Sequence, residues 1–586
     1  MTEPATTVRA RSRWTPAQLT VLAGQALFSV VFVYHTRFYD NGRVRFTLFD
    51  DAMISMRYGE NLARGHGLAW NAHGRPVEGY TDLLWTLYMA LVHVFTGRPW
   101  APLVVELTGV VLLLVNLVLV RAVALRLTKG QSRTATAAMV LVAFCYPLIF
   151  WTLRGSEVGL VTVEISLSVL LALRVADGAR GRDLTTLAVV AALGALTRDD
   201  VLLPVLIVIA WTVLAVPVAD RRRVGLVLSA PPAVAVVAHE VFRQTYYHQW
   251  LPNTYYLKAT GVSLVTRLHR GLAGLATIDS LELWAPLALV VVLFVLHRDH
   301  VTRGMVLLVA LVAGQVAYDA FVGGDAFEAD ELANRFLTPA LPGLLVLAVL
   351  AIDLTIDGAS ASSARRRAVA AVLVAVTVPV LVLRATNVQP GSGLQLGRIP
   401  SPALGWRVGI PIGVLAVLVA VATVRGLRPV LSFAAAVVAV AVAFSAKDLA
   451  WWAHHNAFLT NQVKAAELGL GLERVTTPDA RIAFAAAGAP AYFSDRPAID
   501  MGGKSDPVIA REHPIAKFIP GHNKADYGYS VGVLRPDVVV ALGITSDGDR
   551  ARFERWGYVA ATPWLWALRD DPHVDLAGLS RLDGSG

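Results

Sequence analysis

Two adjacent carboxylates begin a polar segment early in the sequence. Asp50 and Asp51 precede a stretch with helical character that runs toward Gly65-His66-Gly67. Aspartate at a helix N-cap is more stabilising than alanine by about 1 kcal/mol, so capping accounts for one of the two. The other would project into a cavity, where burial and a like-charged neighbour raise its proton affinity. A carboxylate in such a position can act as a general base.

Charged and aromatic residues recur together further along the chain. The stretch 242–258 places tyrosines and a tryptophan beside arginine and lysine. Such rings can pack on a sugar while the cations hold a phosphate, as for a lipid-linked phosphosugar. Aromatic belts at membrane interfaces have the same composition, so this stretch fits both interpretations. The candidate substrate-binding residues are Arg57, Glu78, Tyr80, Glu157, Arg198, Asn253, Tyr255, Tyr256, Lys258, Asp325 and Arg335.

Several of these clusters also have an ordinary structural explanation. Glu78 fits a solvated loop carboxylate, and Arg154, at the end of an apolar run, fits a side chain that reaches to the lipid headgroups. Gly323-Gly324-Asp325 predicts a tight turn with a carboxylate exposed at its tip. The sequence contains no His/Cys metal cluster, no phosphate-binding glycine loop and no Gly-x-Ser-x-Gly elbow.

The composition excludes a soluble enzyme as the simplest interpretation. Of 586 residues, 55% are hydrophobic and only 16% are charged, and the mean hydropathy is +0.55. Soluble domains have roughly 25% charged residues. The net charge of +9 does not indicate nucleic-acid binding, because the arginines lie in short clusters between apolar runs. A single cysteine, Cys145, excludes an intrachain disulfide.

The apolar runs predict a polytopic α-helical membrane protein with about thirteen transmembrane helices. The thirteen runs are 17–36, 101–120, 134–152, 158–173, 184–197, 201–217, 224–239, 282–296, 304–321, 337–352, 368–384, 408–424 and 429–445. A further run, 83–95, is short. If it lies in the outer interface without crossing, the basic loops all share the cytoplasmic side with the N-terminus, as the positive-inside rule requires.

This topology defines two domains. Residues 1–445 form the membrane domain, with a first external loop at 37–100, and residues 446–586 form an extracytoplasmic domain. In the latter, the runs 481–486, 537–541 and 565–569 have strand character between Gly/Pro turns, which predicts an α/β fold. Loops 240–281, 322–336 and 385–407 fall on the same outer side.

The order of motifs resembles the GT-C glycosyltransferases, which are polytopic membrane enzymes. The resemblance rests on motifs spread over most of the chain: Asp50-Asp51-Ala52, Gly65-His66-Gly67-Leu68, Trp70-Asn71, Val77-Glu78-Gly79-Tyr80-Thr81, Leu84-Trp85, Gly155-x-Glu157, Leu196-Thr197-Arg198-x-Asp200, Leu251-Pro252-Asn253-Thr254-Tyr255-Tyr256-x-Lys258, Gly323-Gly324-Asp325, Arg335-Phe336-Leu337-x-Pro339 and Tyr492-Phe493-Ser494-Asp495-Arg496-Pro497-Ala498-Ile499-Asp500. Within this superfamily the chain resembles actinobacterial cell-wall arabinofuranosyltransferases and, more distantly, the lipid A aminoarabinose transferase and the protein O-mannosyltransferases. It departs from the arabinofuranosyltransferases at Glu78-Gly79-Tyr80-Thr81, where they are expected to have Ala-Asn in place of Gly-Tyr.

The resemblance implies a GT-C fold and an inverting transfer at the outer face of the plasma membrane. The donor would be a polyprenyl-phosphate sugar, with decaprenyl-phosphate arabinose as the nearest match, and the acceptor a cell-envelope glycan or glycolipid. Asp50 would deprotonate the acceptor hydroxyl. Asp51 would support it, or the pair would hold a divalent cation, magnesium or manganese. Membrane lipids would be the other partners.

Three other functions remain open at this point. A membrane mannosyltransferase of the same superfamily would use the same kinds of residues. A transporter or flippase for lipid-linked glycans would place ionisable residues near the middle of its spans, where this chain has few polar residues, such as Gln25, Asn116 and Glu164. A glycan-binding domain held by inert spans would not need thirteen crossings.

Overall fold

The computed structural model describes residues 13–178, 181–277, 283, 285–328, 333–359, 457–516, 518–541 and 547–582. The helices of the N-terminal part are α1 Pro16–His35, α2 Asp50–Ala63, α3 Leu83–Phe95, α4 Ala101–Leu127, α5 Ser132–Ala143, α6 Tyr146–Leu153, α7 Val158–Ala176, α8 Arg182–Thr197, α9 Leu202–Ala215, α10 Val218–Tyr247, α11 Asn253–Ala259, α12 Leu264–Thr277, α13 Ala285–Leu296, α14 Arg303–Val322 and α15 Leu341–Ala359. The C-terminal part adds α16 Ala457–Val475, α17 Ala489–Ser494, α18 Asp547–Arg555 and α19 Leu576–Leu579.

The protein is a multi-pass membrane protein. In the described ranges, α1, α4, α7, α10 and α14 are long and apolar enough to cross a bilayer, and the pair α5 and α6, bent by 54°, would make a sixth span. On α4, the side chains of Leu107, Val111, Val115 and Val118 follow a helical spacing and are all exposed. An exposed apolar stripe of this kind is stable against lipid rather than water.

Ten of the thirteen predicted spans contain a helix in the part of the chain that the structure describes. The run 83–95, predicted as an interfacial helix, forms α3 with those bounds. Helices α8, α9 and α13 have 16, 14 and 12 residues, fewer than the roughly 20 that a straight crossing needs. The last three predicted spans, 368–384, 408–424 and 429–445, lie outside the described residues, so the number thirteen stays a prediction.

The C-terminal part contains a small mixed sheet with helices around it. Its strands are β3 Ile482–Phe484, β4 Ala498–Asp500, β5 Val538–Val540, β6 Tyr558–Ala560 and β7 Leu565–Leu568, in the order β4-β3-β5-β7-β6. Strands β4, β3 and β5 are parallel, whereas β7 and β6 join in antiparallel fashion. The runs predicted to be strands contain β3, β5 and β7. A short hairpin, β1 Phe38–Asp40 and β2 Arg43–Arg45, lies in the first loop.

The first loop and the C-terminal part share one hydrophobic core. Phe49 at the start of α2 belongs to the same buried cluster as Tyr492 and Phe493 of α17. Gly488, which precedes α17, lies so close to Asp50 that a Cβ atom there would overlap the backbone oxygen of Asp50. The two parts therefore form one packed unit, and the cavity described next lies where they meet.

Candidate functional site

A cavity of about 710 Å³, part of it open to solvent, lies at this junction. Distant parts of the chain supply its charged and ionisable side chains. They come from the start of α2, the loop before α3, the turn before α7, α11, the loop after α14 and two loops of the C-terminal part. These side chains are Asp51, Asp82, Glu157, Lys258, Arg335, Lys504 and His522.

Asp51 is the carboxylate at the centre of this charge cluster. Its Oδ1 accepts from the ammonium group of Lys504, and its Oδ2 accepts from Nη1 of Arg335 at 2.9 Å. Burial alone would raise the pKa of Asp51, but Lys504 and Arg335 outweigh it and hold that pKa far below its ordinary value. Asp51 is therefore ionised throughout the physiological pH range.

Asp50 occupies a different environment, although it is adjacent in sequence. Its Oδ1 accepts a hydrogen bond from the backbone N–H of Ala489, at 2.9 Å, at the start of α17. Burial raises the pKa of Asp50; Lys504 opposes this rise and the charge of Asp51 adds to it. Asp51, and not Asp50, lines the cavity. The sequence resemblance implies that Asp50 faces the substrate and Asp51 supports it, whereas in the structure Asp51 lines the cavity and Asp50 contacts the start of α17.

The basic residues of the cavity crowd one another. Lys258 lies over the ring of Phe336, with Nζ 5.5 Å from its centroid. Burial, together with the charge of Arg335, lowers the pKa of Lys258 to about 8. Burial and the charge of Lys504 lower the pKa of His522 to about 3, so that this imidazole is neutral. Excess positive charge of this kind favours an anionic ligand.

Each of two cavity residues is held by a charged partner behind it. Nε of Arg335 lies 3.3 Å from Oδ2 of Asp325, and Asp325 is fully buried rather than exposed at the tip of its turn. Glu157 lies 2.7 Å from Nη1 of Arg198, whose Nε is 2.5 Å from Asp200. Asp325 and Arg198 therefore position cavity side chains, because the described contacts place them behind Arg335 and Glu157.

Asp82 adds a third carboxyl group to the cavity wall. Its oxygens accept from the hydroxyl of Ser55 at 2.9 and 3.0 Å, and the hydroxyl of Thr86 lies 3.3 Å from Oδ1. Burial, followed by the charge of Glu157, raises the pKa of Asp82 to about 8. At neutral pH this group is therefore mostly protonated and can donate a hydrogen bond.

Lys504 stands on a loop whose backbone is fixed from two sides. The Asp500 carboxylate accepts from the backbone N–H groups of Gly502 and Ser505, at 2.8 and 2.5 Å. On the other side, the amide of Asn253 donates to the carbonyls of Gly503 and Lys504, at 2.9 and 3.1 Å. Asn253 is completely buried. Asn253 does not line the cavity, and it affects the cavity only by holding the loop that carries Lys504.

The predicted residues Arg57 and Glu78 do not line the cavity. Arg57 is buried, and its guanidinium donates to the backbone carbonyls of Trp70 and Arg496. Glu78 is also buried, paired with Arg243 at 2.6 Å, so it is not a solvated loop residue.

The residues that line the cavity as predicted are Asp51, Tyr80, Glu157, Lys258 and Arg335.

The positions of three other residues differ from those that the sequence predicts. Tyr255 is 41% exposed, and the ring of Tyr256 lies under the guanidinium of Arg511, with Cζ at 4.0 Å from the centroid. Neither tyrosine lines the cavity. Arg154 is only 1% exposed, so it does not extend to the lipid headgroups.

Sequence reasoning missed Lys504, His522 and Asp82. Lys504 follows Gly502-Gly503, and His522 follows Pro520-Gly521. An ionisable residue directly after a tight Gly or Pro turn is the same pattern that drew attention to Gly323-Gly324-Asp325, so the sequence contained a signal for Lys504 and His522. Only the fold, which brings these two loops to Asp51, identifies Lys504 and His522 as members of the site.

The residues around Asp50 and Asp51 do not fit a divalent cation. Magnesium requires a near-octahedral set of oxygen ligands. Both oxygens of Asp51 contact cationic side chains, and Asp50 accepts from a backbone N–H. Among the described residues, no group of three His, Cys, Asp or Glu side chains is arranged to hold a metal ion.

Comparison with protein families and curated sequences identifies the C-terminal part only. Residues 454–579 match a family model described as a domain of unknown function, DUF8728. No curated protein sequence matches the chain significantly.

Comparison with solved structures covers nearly the whole chain. ArnT from Cupriavidus metallidurans bound to undecaprenyl phosphate has a TM-score of 0.53 and 11% identity, over 95% of this chain and 99% of ArnT. Its apo structure gives a TM-score of 0.52 and 13% identity, over 94% and 97%. Arabinosyltransferase EmbB from Mycobacterium smegmatis is less similar, with a TM-score of 0.43 and 14% identity over 80% of this chain and 44% of EmbB.

The match to ArnT confirms, at the level of the fold, the resemblance that the sequence motifs carry. ArnT has the GT-C fold, and the match extends over the membrane helices and the C-terminal part together. The chain therefore has the GT-C fold.

Proposed function

We propose that the protein is a glycosyltransferase that moves a sugar from a polyprenyl-phosphate donor to a cell-envelope glycan or glycolipid. The observation that carries the proposal is the cavity, in which Lys258, Arg335 and Lys504 surround one ionised carboxylate, Asp51. This charge pattern suits a phosphodiester beside a proton acceptor. The GT-C fold, shared with a protein that binds undecaprenyl phosphate, supports the same donor class.

The cations have a direct role in the chemistry. A departing polyprenyl phosphate gains negative charge as its bond to the sugar breaks, and preorganised cations stabilise that charge in the transition state. Arg335 offers a planar, doubly anchored guanidinium, whereas Lys258 and Lys504 offer flexible point charges. Since the residues present do not fit a divalent cation, no step of the proposal uses one.

Asp51 is the proposed base. The acceptor oxygen attacks the anomeric carbon from the face opposite the phosphate, and its proton passes to Asp51. The bond from the anomeric carbon to the phosphate oxygen breaks, and its electron pair leaves with the polyprenyl phosphate. The configuration inverts in this single displacement. Asp50, which the sequence resemblance nominated for this role, has the supporting one and holds α17 against the first loop.

Carboxyl groups opposite the cations suit the hydroxyls of the sugar. Glu157 is ionised by its contact with Arg198 and accepts hydrogen bonds, whereas protonated Asp82 donates one. Tyr80 borders the same space. Arabinofuranose is the first sugar to test because of the sequence resemblance, and mannose is the second.

We place the cavity and the C-terminal part on the outer face of the plasma membrane. Four of the outer segments assigned by the positive-inside rule, the first loop, 240–281, 322–336 and the C-terminal part, supply the cavity and its supports. The fifth, 385–407, lies outside the described residues. Segments that form one site must lie on the same side of the membrane, as the positive-inside rule assigns them.

The decisive assay uses purified protein in proteoliposomes with radiolabelled polyprenyl-phosphate arabinose, polyprenyl-phosphate mannose and cell-wall glycan acceptors. We expect radiolabel in the glycan product with one of the two donors. Movement of intact lipid-linked sugar across the bilayer without a covalent product would instead identify a flippase. Glycan binding without turnover would identify an anchored binding protein.

Asparagine substitutions separate the two aspartates. Asp51→Asn should lower kcat about 10²- to 10⁴-fold, the usual contribution of a general base, and should retain undecaprenyl phosphate binding. Asp50→Asn should mainly lower thermal stability, since it weakens a hydrogen bond to α17. Transfer rates and melting temperatures of both variants check this. Near-normal turnover of Asp51→Asn would remove Asp51 from the catalytic role.

The pKa of Lys258 predicts a pH dependence for the donor. Its folded-state pKa is lowered to about 8, so the ammonium is charged below that pH and loses its charge above it. The value of kcat/KM for the donor should therefore fall as the pH rises through about 8, and Lys258→Arg should remove this fall.

Asp82 titrates in the same range, so its substitution is the control for this profile. If Asp82→Asn removes the fall of kcat/KM at alkaline pH and Lys258→Arg keeps it, this fall is caused by Asp82, and the assignment to Lys258 is wrong.

Asn253 should affect the donor through Lys504. Asn253→Ala leaves buried carbonyls without their donor, which costs about 1–3 kcal/mol, and frees the Lys504 loop. We expect undecaprenyl phosphate affinity to fall several-fold. Tyr255→Ala, on the same short helix but exposed, is the matched control and should bind normally. The opposite pattern, measured by titration of both variants, would favour direct contact by Tyr255 and contradict the positioning role.

A further inference from the structure

Asp51 is held in a state that is unsuited to accepting a proton. Both of its oxygens contact cations, one on Arg335 and one on Lys504. Protonation of the carboxylate would give up both ion pairs inside a buried site, where they are worth more than in water. A base in this position becomes effective only after at least one cation moves away.

Of the two cations, Lys504 is the one free to move. Arg335 is also held by Asp325, through its Nε at 3.3 Å and through its backbone N–H, which donates to Asp325 at 3.0 Å. The backbone around Lys504 is fixed by Asn253 and Asp500. Its four-carbon side chain is not, because the ammonium has its described ion pair with Asp51 alone. The movement required is a change of rotamer, without displacement of the domain.

The cavity also contains more positive than negative charge around this pair. Among the residues that line the cavity, Arg335, Lys258 and Lys504 carry three positive charges, and the carboxylates of Asp51 and Glu157 carry two negative ones. His522, which also faces Asp51, is neutral. The difference is one positive charge, which a phosphodiester monoanion would balance. The mutual repulsion of the cations favours the arrival of that anion.

We propose that the donor phosphate and Asp51 compete for the ammonium group of Lys504, so that donor binding releases Asp51 to act on the acceptor. This rests on the proposed function. Before the donor binds, Lys504 holds Asp51. The phosphate then draws Lys504 to itself, Asp51 keeps only Arg335, and the acceptor hydroxyl gains access to a free carboxylate oxygen. The C-terminal part thereby couples the two substrates and makes the donor the first to bind.

A double-mutant cycle tests the competition with undecaprenyl phosphate as the probe. Asp51→Asn removes the competitor for Lys504, so affinity should increase about fivefold or more, the range typical of coupled sites. Lys504→Met, of similar length and uncharged, should weaken binding. In the Lys504→Met background, Asp51→Asn should change affinity less than twofold, because coupling between contacting residues is lost when either is removed. Titrations of the four full-length proteins measure these changes.

Two controls separate this result from simpler ones. Glu157→Gln removes another carboxylate of the same cavity, whose described ion pair is with Arg198, and reports how much plain repulsion of the phosphate contributes. An equal gain for Glu157→Gln, or a gain for Asp51→Asn that persists in the Lys504→Met background, would mean that repulsion alone acts and would overturn the competition. Melting temperatures show whether each variant is folded.

The outcomes for the wild-type protein distinguish the two proposals. If the wild-type protein binds undecaprenyl phosphate and Asp51→Asn binds it no more tightly, the ion pair of Lys504 with Asp51 is purely structural and joins the first loop to the C-terminal part. The competition then fails while the transferase stands. If the folded wild-type protein does not bind undecaprenyl phosphate, both proposals fail together.

Discussion

The two ion pairs of Asp51 join three separate parts of the chain at one carboxylate. Asp51 lies in the first turn of α2, Arg335 lies in the loop after α14, and Lys504 comes from the C-terminal part. Removing a charge from water costs several kcal/mol, so each of these side chains is stable in its position only while the others are present. The position of the C-terminal part and the chemistry of the cavity therefore depend on the same contacts.

A second set of contacts fixes the members of this cluster. Asp325 holds Arg335, Arg198 holds Glu157, and the amide of Asn253 holds the loop of Lys504. Arg198 and Asn253 lie on other elements than the groups they orient, whereas Asp325 lies in the same loop as Arg335, 10 residues before it. All three supports are buried. A site supported in this way keeps its geometry while one flexible side chain changes partner, which is what the exchange of Lys504 between Asp51 and a phosphate requires.

The sequence predicted many elements and part of the site. The bounds of α3 and the positions of β3, β5 and β7 followed from periodicity and turn residues, because these patterns are local. Lys258 and Arg335 were found because they stand beside unusual aromatic or glycine-rich turns. Lys504 was not, since nothing within its own segment relates it to a carboxylate some 450 positions earlier in the chain. Burial of Glu78 and Arg57 was equally hidden, because their partners come from other elements.

The apolar runs and the clustering of arginines between them determined by themselves that this is a membrane protein, and the order of polar motifs carried the resemblance to GT-C enzymes. Lipid selects composition segment by segment, so no tertiary contact is needed to recognise it. The tertiary structure decided which of two neighbouring aspartates faces the cavity. Successive side chains on a helix point about 100° apart, and the start of α17 meets Asp50, which leaves Asp51 to the cavity. Only the docking of two distant parts of the chain fixes that choice.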